Sequence, residues 1–200
     1  MNRNRTSAHR LDPRKPLVLD TRELGRRPGS MREVRLQVPA PEAIGVDLIR
    51  VPPGGELDLD LRFESVVEGV LVSGTAQVPL SGECGRCLEA IGDELVVDLQ
   101  ELFAYAESDT GGDEEAARME GDLLDLEPVL RDAVVLALPL TPLCREDCSG
   151  LCVDCGGRLD DLPADHGHDA PDPRWTGLAG LLDPNAVSPT DRSTTHDQEN

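Results

Sequence analysis

The sequence predicts an α+β fold: an antiparallel strand meander packed with one main helix and followed by a Cys/His zinc-binding C-terminal module. Three observations predict it. Leu57, Leu59, Leu61 and Phe63 alternate with Asp58, Asp60 and Arg62, a period of two with one buried face. Leu130, Val134 and Leu138 recur at helical spacing. All six cysteines lie at Cys84, Cys87, Cys144, Cys148, Cys152 and Cys155, with His166 and His168 close behind.

The chain opens with a basic arm, residues 1–33, in which Leu17-Val18-Leu19 is short and apolar enough to form an edge strand. Residues 1–35 hold ten of the nineteen basic residues and four acids, a balance of +6 that leaves −26 on the rest. A body that acidic repels phosphate, so only the arm, at Arg22, Arg26 and Arg27, is a candidate for RNA or partner contact. Solubility is the plain reading of the acidity; attraction of a basic partner is the functional one.

A single domain is expected over residues 34–182. Strands fill 34–106. Pro52-Pro53-Gly54-Gly55 supplies a turn, the run from Val66 to Val78 reads as a strand or bent pair with bulges at Gly69 and Gly74, and Leu95 to Leu99 opens another strand. Residues 107–121 carry six acids and almost nothing apolar, an acidic flexible insert. The helix falls within 122–140, with Asp125 as N-cap, Pro128 in the first turn and Pro139 as its stop. Residues 141–182 hold the zinc module and a short helix from Pro173 that buries Trp175, Leu178 and Leu182. Residues 183–200 are polar and unpatterned, a disordered tail.

Several function classes drop out. Four aromatic residues, Phe63, Phe103, Tyr105 and Trp175, are too few for the stacking platforms that read single-stranded nucleic acid. The longest apolar run, Ala133 to Leu140, is too short to span a bilayer, and no apolar stretch follows the basic start as in a secretory signal. A cytoplasmic location is expected. His166-Gly167-His168-Asp169 lacks the remaining ligands of a metallo-β-lactamase-like site, and no phosphate-binding loop or nucleophile elbow occurs. We therefore expect no enzyme and no small-molecule substrate.

The thiols carry the chemistry. In a reducing compartment, clustered cysteines point to metal or redox work rather than a disulfide framework. Two C-x2-C pairs, two further cysteines and a histidine pair make eight donors, enough for two closed, structural Zn2+ sites. One grouping sets Cys152, Cys155, His166 and His168 together and leaves Cys84, Cys87, Cys144 and Cys148 for the other. The competing grouping puts Cys144, Cys148, Cys152 and Cys155 on one ion and leaves Cys84 and Cys87 as a dithiol. His166 and His168 also have a plainer reading as exposed loop histidines. The spacing leaves these open.

Read in order, Leu19 to Leu24, Cys84-Gly85-Arg86-Cys87-Leu88, Asp125 to Val129, Leu138-Pro139, Pro142-Leu143-Cys144, Cys148 to Cys152, Cys155-Gly156 and Asp172-Pro173-Arg174 resemble the YceD family, described as large ribosomal RNA subunit accumulation proteins. The resemblance covers roughly residues 17–182. It implies a non-enzymatic factor in large-subunit assembly or rRNA accumulation, whose partner is a basic ribosomal protein, a large-subunit rRNA precursor or both. Many members carry C-x-C where this chain has His166 and His168. Others keep the C-x2-C but lack the second knuckle, which favours pairing Cys84 and Cys87 with Cys144 and Cys148. A second class of function is a thiol/zinc redox switch that regulates binding of a basic partner; zinc release under mild oxidant separates it from inert structural zinc.

Overall fold

The computed structural model describes residues 10–108 and 117–168, together with Arg174. The short helix expected from Pro173, the tail 183–200 and most of the acidic insert lie outside the described residues. Among the described residues the architecture is an antiparallel sheet with one α-helix, as the two periodicities predict. The elements run β1 (Val18–Asp20), β2 (Met31–Pro39), β3 (Ile44–Gly45), β4 (Ile49–Val51), β5 (Glu56–Ser65), β6 (Gly69–Glu83), β7 (Ala90–Ala104), β8 (Leu123–Asp125) and α1 (Glu127–Ala137), followed by a 3-10 turn at Leu159–Asp161.

The sheet is built around β6. Its 15 residues pair with β7 along their whole length on one edge. The other edge takes β5 at Val70 to Gln77 and then β4 at Ser81 and Gly82. β2 extends the sheet beyond β5, and the short β3–β4 hairpin is an excursion between them. Leu57, Leu59, Leu61 and Phe63 all face the core, the outcome their alternation predicts.

Gly69 and Gly74 are not bulges. Pairing runs one-to-one through both, and what requires glycine is close approach by the neighbouring strands. A Cβ at Gly74 would stand 2.1 Å from the Asp60 carbonyl oxygen, at a φ of +152°.

The segment expected as a basic arm is partly packed structure. Leu17 and Leu24 are buried, and β1 pairs antiparallel with β8, more than a hundred residues away. Thr21 N–H donates to the Asp122 carbonyl, and Leu126 N–H to that of Leu17, fastening the segment just ahead of α1. The apolar patch at Leu17 to Leu19 overrides its charged surroundings because burying one leucine contributes ~2 kcal/mol.

α1 presents Leu130 and Val134 to the core, followed by the buried Leu138. Its start corrects one expectation. Leu126, already near helical at φ −82°, occupies the cap position, while Asp125 reaches forward so that its Oδ1 accepts the Glu127 N–H at 3.0 Å. Asp125 thus serves an orphan amide from one residue farther out. Asp125→Ala is expected to cost about 1 kcal/mol, read as a lower urea midpoint with an unchanged slope. No helix among the described residues is long and apolar enough to cross a membrane.

Candidate metal centre

The β6–β7 turn forms the first half of the site. Cys84 N–H donates to the Glu89 carbonyl at 2.8 Å, and Leu88 N–H donates back to the Cys84 carbonyl at 2.9 Å. This tight knuckle sets Cys84 and Cys87 on one side. Its fifth residue, Leu88, adopts a left-handed φ of 61° and is exposed. The pattern recurs at Cys152: its N–H donates to the Gly157 carbonyl at 2.8 Å, and Gly156 N–H to the Cys152 carbonyl at 2.9 Å, with Gly156 at φ 70°. Glycine takes that conformation freely; Leu88 takes it at a cost of roughly 1–2 kcal/mol.

The second half of the first cluster arrives after α1. Gly85 N–H donates to the Pro142 carbonyl at 2.8 Å, and Arg86 Nη1 to that of Cys148 at 2.9 Å, so the knuckle grips the segment bearing Cys144 and Cys148. Cys84 Sγ lies 3.8 Å from Cys148 Sγ, and Cys87 Sγ 3.6 Å from Cys144 Sγ. All four donors fall within 4.8 Å of one another. Cys84, Cys87 and Cys148 are buried, with Leu143 and Leu151 packed around them.

Cys152, Cys155, His166 and His168 form a second cluster of the same compactness, and a more exposed one. Cys155 Sγ is 3.6 Å from His166 Nε2, which is 3.0 Å from His168 Nε2. Of the groupings open in the sequence, the structure assembles this one and its complement; Cys84 and Cys87 are not left as a separate dithiol.

These distances fit a tetrahedral metal centre and not disulfides. A disulfide needs sulfurs ~2.05 Å apart, and all six cysteines are free. A tetrahedron with metal–sulfur bonds of ~2.3 Å has edges of ~3.8 Å, and one with metal–nitrogen bonds of ~2.0 Å has edges of ~3.3 Å. The sulfur pairs match the first value, the mixed pair at 3.6 Å falls between the two, and the nitrogen pair at 3.0 Å lies near the second. Thiolate and imidazole donors suit a borderline-soft cation, not magnesium or calcium. Each cluster can hold one metal ion.

Electrostatics agree. Burial pushes the Cys84 thiol up, but N–H groups of Cys87, Cys144 and Arg86 aimed at it outweigh burial and bring it down to about 6. Burial and the neighbouring sulfurs push Cys144 up to about 12, and burial raises Cys148 as well. N–H groups of Cys155 and Asp154, helped by the His166 side chain, bring Cys152 down to about 6. Each cluster therefore presents a backbone-stabilised thiolate, and in the first cluster a cation is what would let Cys144 and Cys148 ionise as well.

Three contacts between the clusters were invisible in the sequence. Arg158, from the second module, makes a bidentate pair with Glu89 of the first knuckle at 3.0 and 2.7 Å. Leu159 N–H donates to the Gly150 carbonyl at 3.0 Å, and Arg145 pairs with Asp160. Glu89→Ala is expected to weaken metal binding by the second cluster several-fold and to spare the first. Competition titration with a colorimetric chelator reads both affinities.

Of the arginines expected to meet RNA or a partner, Arg22 and Arg26 are paired with local acids. Arg22 pairs with Asp20 at 2.6 Å. Arg26 lies over the Tyr105 ring at 4.8 Å and within 3.7 Å of Glu107 and Asp122 carboxylates. Arg27 is exposed beside them.

Comparison with known proteins follows this geometry. A model of the family described as "Large ribosomal RNA subunit accumulation protein YceD" matches residues 72–182, a span that contains both clusters. The chain is 47% identical over 172 residues to an uncharacterized protein of Mycobacterium tuberculosis, covering 84% of this chain and 83% of that one. An uncharacterized Mycobacterium leprae protein is 42% identical over 183 residues, covering 89% and 84%. The Bacillus subtilis protein YlbN is 23% identical over 124 residues, covering 62% and 70%. No solved structure matches. With half the sheet, the helix and both donor clusters inside the matched span, the chain belongs to the YceD family, whose description links it to accumulation of large-subunit ribosomal RNA.

Proposed function

We propose that this chain is a non-enzymatic binding factor, stabilised by two structural Zn2+ ions, that supports large-subunit assembly or the accumulation of large-subunit rRNA in the cytoplasm. The observation that carries the reading is the family match over residues 72–182, which takes in every donor of both clusters. Four protein donors per cluster fill a tetrahedron and leave no position for an activated water, which supports a structural role over a hydrolytic one. Cys84, Cys87, Cys144 and Cys148 would hold one ion, and Cys152, Cys155, His166 and His168 the other. The strong acidity of the body favours a basic ribosomal protein as the direct contact.

Metal analysis of protein purified under reducing conditions is expected to find about two zinc ions per chain on the four-donor rule. Affinity capture from lysate at moderate salt is expected to recover large-subunit components, and depletion of the protein to lower large-subunit rRNA against small-subunit rRNA. Capture of no ribosomal material with an unchanged rRNA ratio overturns the assembly reading.

Exposure of Cys155 favours a second reading, a redox switch. Peroxide would take two electrons from the Cys152 and Cys155 thiolates, forming their disulfide, yielding water and freeing the ion. Absence of zinc release at mild peroxide retires this reading and leaves the structural one intact.

A further inference from the structure

β7 is the long outer strand on its side of the sheet, and the backbone shows which of its groups remain unpaired. Ala104 N–H donates to the Ala117 carbonyl at 2.9 Å, and the Ala104 carbonyl accepts from Met119 N–H at 2.9 Å, so both Ala104 groups point away from β6. Register with β6 is unbroken from Ala90 to Ala104. Antiparallel alternation therefore turns the N–H and C=O groups of Leu102, Gln100, Asp98 and Val96 outward as well. Among the described residues, no strand pairs with that edge below the single bridge at Ala104.

The free edge borders a groove of about 480 Å³ whose far wall is α1, contributed by Pro128, Val129, Asp132 and Ala133. Four carboxylates line it: Asp98 and Glu101 on β7, Asp125 at the start of α1 and Asp132 on its exposed side. Arg118 is the one cationic residue in the lining. β2, at the other side of the sheet, offers a poorer edge: it carries Arg32 and Arg35, and among the described residues α1 packs against β7 and β3 instead.

We propose that the β7 edge and α1 form a docking groove for an extended basic peptide, which adds as a strand beside Asp98 to Leu102. The outward backbone groups supply hydrogen bonds to the peptide main chain, and the flanking carboxylates select for arginine or lysine at alternate positions. Five residues of β7 span ~13 Å from first to last and pair one-to-one with about five peptide residues. The inference deepens the assembly reading, on which it rests for the kind of partner: a basic ribosomal protein with an extended segment. Duplex or single-stranded RNA is the disfavoured occupant, because four carboxylates repel its phosphates.

The test separates main-chain pairing from charge. A fluorescent octapeptide of alternating arginine and valine (the valine peptide) is compared with its copy N-methylated at every backbone amide, which has equal charge and no main-chain donor in either register. The valine peptide is expected to bind at least tenfold more tightly. Gln100→Pro removes an outward N–H and leaves the ladder to β6 intact, since proline is tolerated where its nitrogen faces away from the partner strand. That variant is expected to lose at least tenfold in affinity for the valine peptide, with its far-UV circular dichroism unchanged. Asp98→Asn combined with Asp132→Asn, both exposed, is expected to weaken binding and to reduce its salt dependence. Equal binding of the two peptides, indifference to the charge variant, or displacement of the peptide by oligouridylate overturns the proposal. Capture from lysate with wild type and Gln100→Pro keeps the two readings apart. Equal recovery of large-subunit material by both counts against the edge and spares the assembly reading. Peptide discrimination in a protein that recovers none supports the edge and removes the assembly reading.

Discussion

Cys84→Ser is expected to release both metal equivalents and to detach residues 141–168 from the sheet. Cys84 is fully buried at the turn where the knuckle holds Pro142 and the Cys148 carbonyl, so its cluster is the joint between the sheet and everything after α1. The second module has little core of its own: Val153 is almost wholly exposed, and Leu159 is partly so. Its position depends on Arg158 meeting Glu89 and on Leu159 meeting Gly150, both contacts with the first cluster's frame. Structural zinc sites are worth on the order of 10 kcal/mol at neutral pH, far more than such contacts supply alone. Cys152→Ser, by contrast, is expected to cost one equivalent, because nothing in the first cluster is built from the second. Metal counting on both variants, with native mass spectrometry, reads this asymmetry directly. Loss of one equivalent from each variant would mean that the clusters are independent. The sheet is expected to survive both substitutions, with its strand signal retained in circular dichroism under chelator.

Gly74→Ala is expected to be the most damaging change within the sheet. β6 runs between β5 and β7 at this point, with Gly74 opposite Leu61 on one side and Leu99 on the other. The obstructing atoms are the Asp60 carbonyl and the Leu61 Cα, main-chain atoms that move only if the ladder opens. The left-handed φ adds a second penalty for any side chain. A cost of at least about 3–4 kcal/mol is expected, a large share of a small domain's stability. Thermal unfolding monitored by circular dichroism should show either a midpoint lower by 10 °C or more or no cooperative transition. A shift of only a few degrees would show that β5 and β6 can separate at low cost.

The sequence reveals what is periodic or locally spaced. Alternation at Leu57 to Phe63 identified the buried face of β5, and the spacing of Leu130, Val134 and Leu138 identified that of α1. Donor spacing named all eight residues of the two clusters and, as one of two options, the way the side chains gather. Other features depend on partners distant along the chain. β1 closes onto β8, and Glu89 meets Arg158, across separations that no local pattern encodes. Gly74 resembles a bulge because a glycine inside a strand pattern signals either irregular pairing or crowding, and only the neighbouring backbones decide between them. Leu88 gives no hint of its left-handed backbone, since leucine rarely adopts it; the recurrence of the Cys152 hydrogen bonds at Cys84 is what makes it intelligible.

The first cluster joins sulfurs whose residues lie 64 positions apart. An ion bound there is a reversible cross-link in polymer terms, closing a loop that contains β7, β8 and α1. Closing a loop of that length removes about 4 kcal/mol of chain freedom from the unfolded ensemble, on the scale used for covalent bridges. Unlike a covalent bridge, it strengthens as free metal rises and vanishes when metal is withdrawn. A bound ion would give the chain, in a reducing environment, the kind of topological restraint that secreted domains take from oxidation, with its strength set by the local supply of metal.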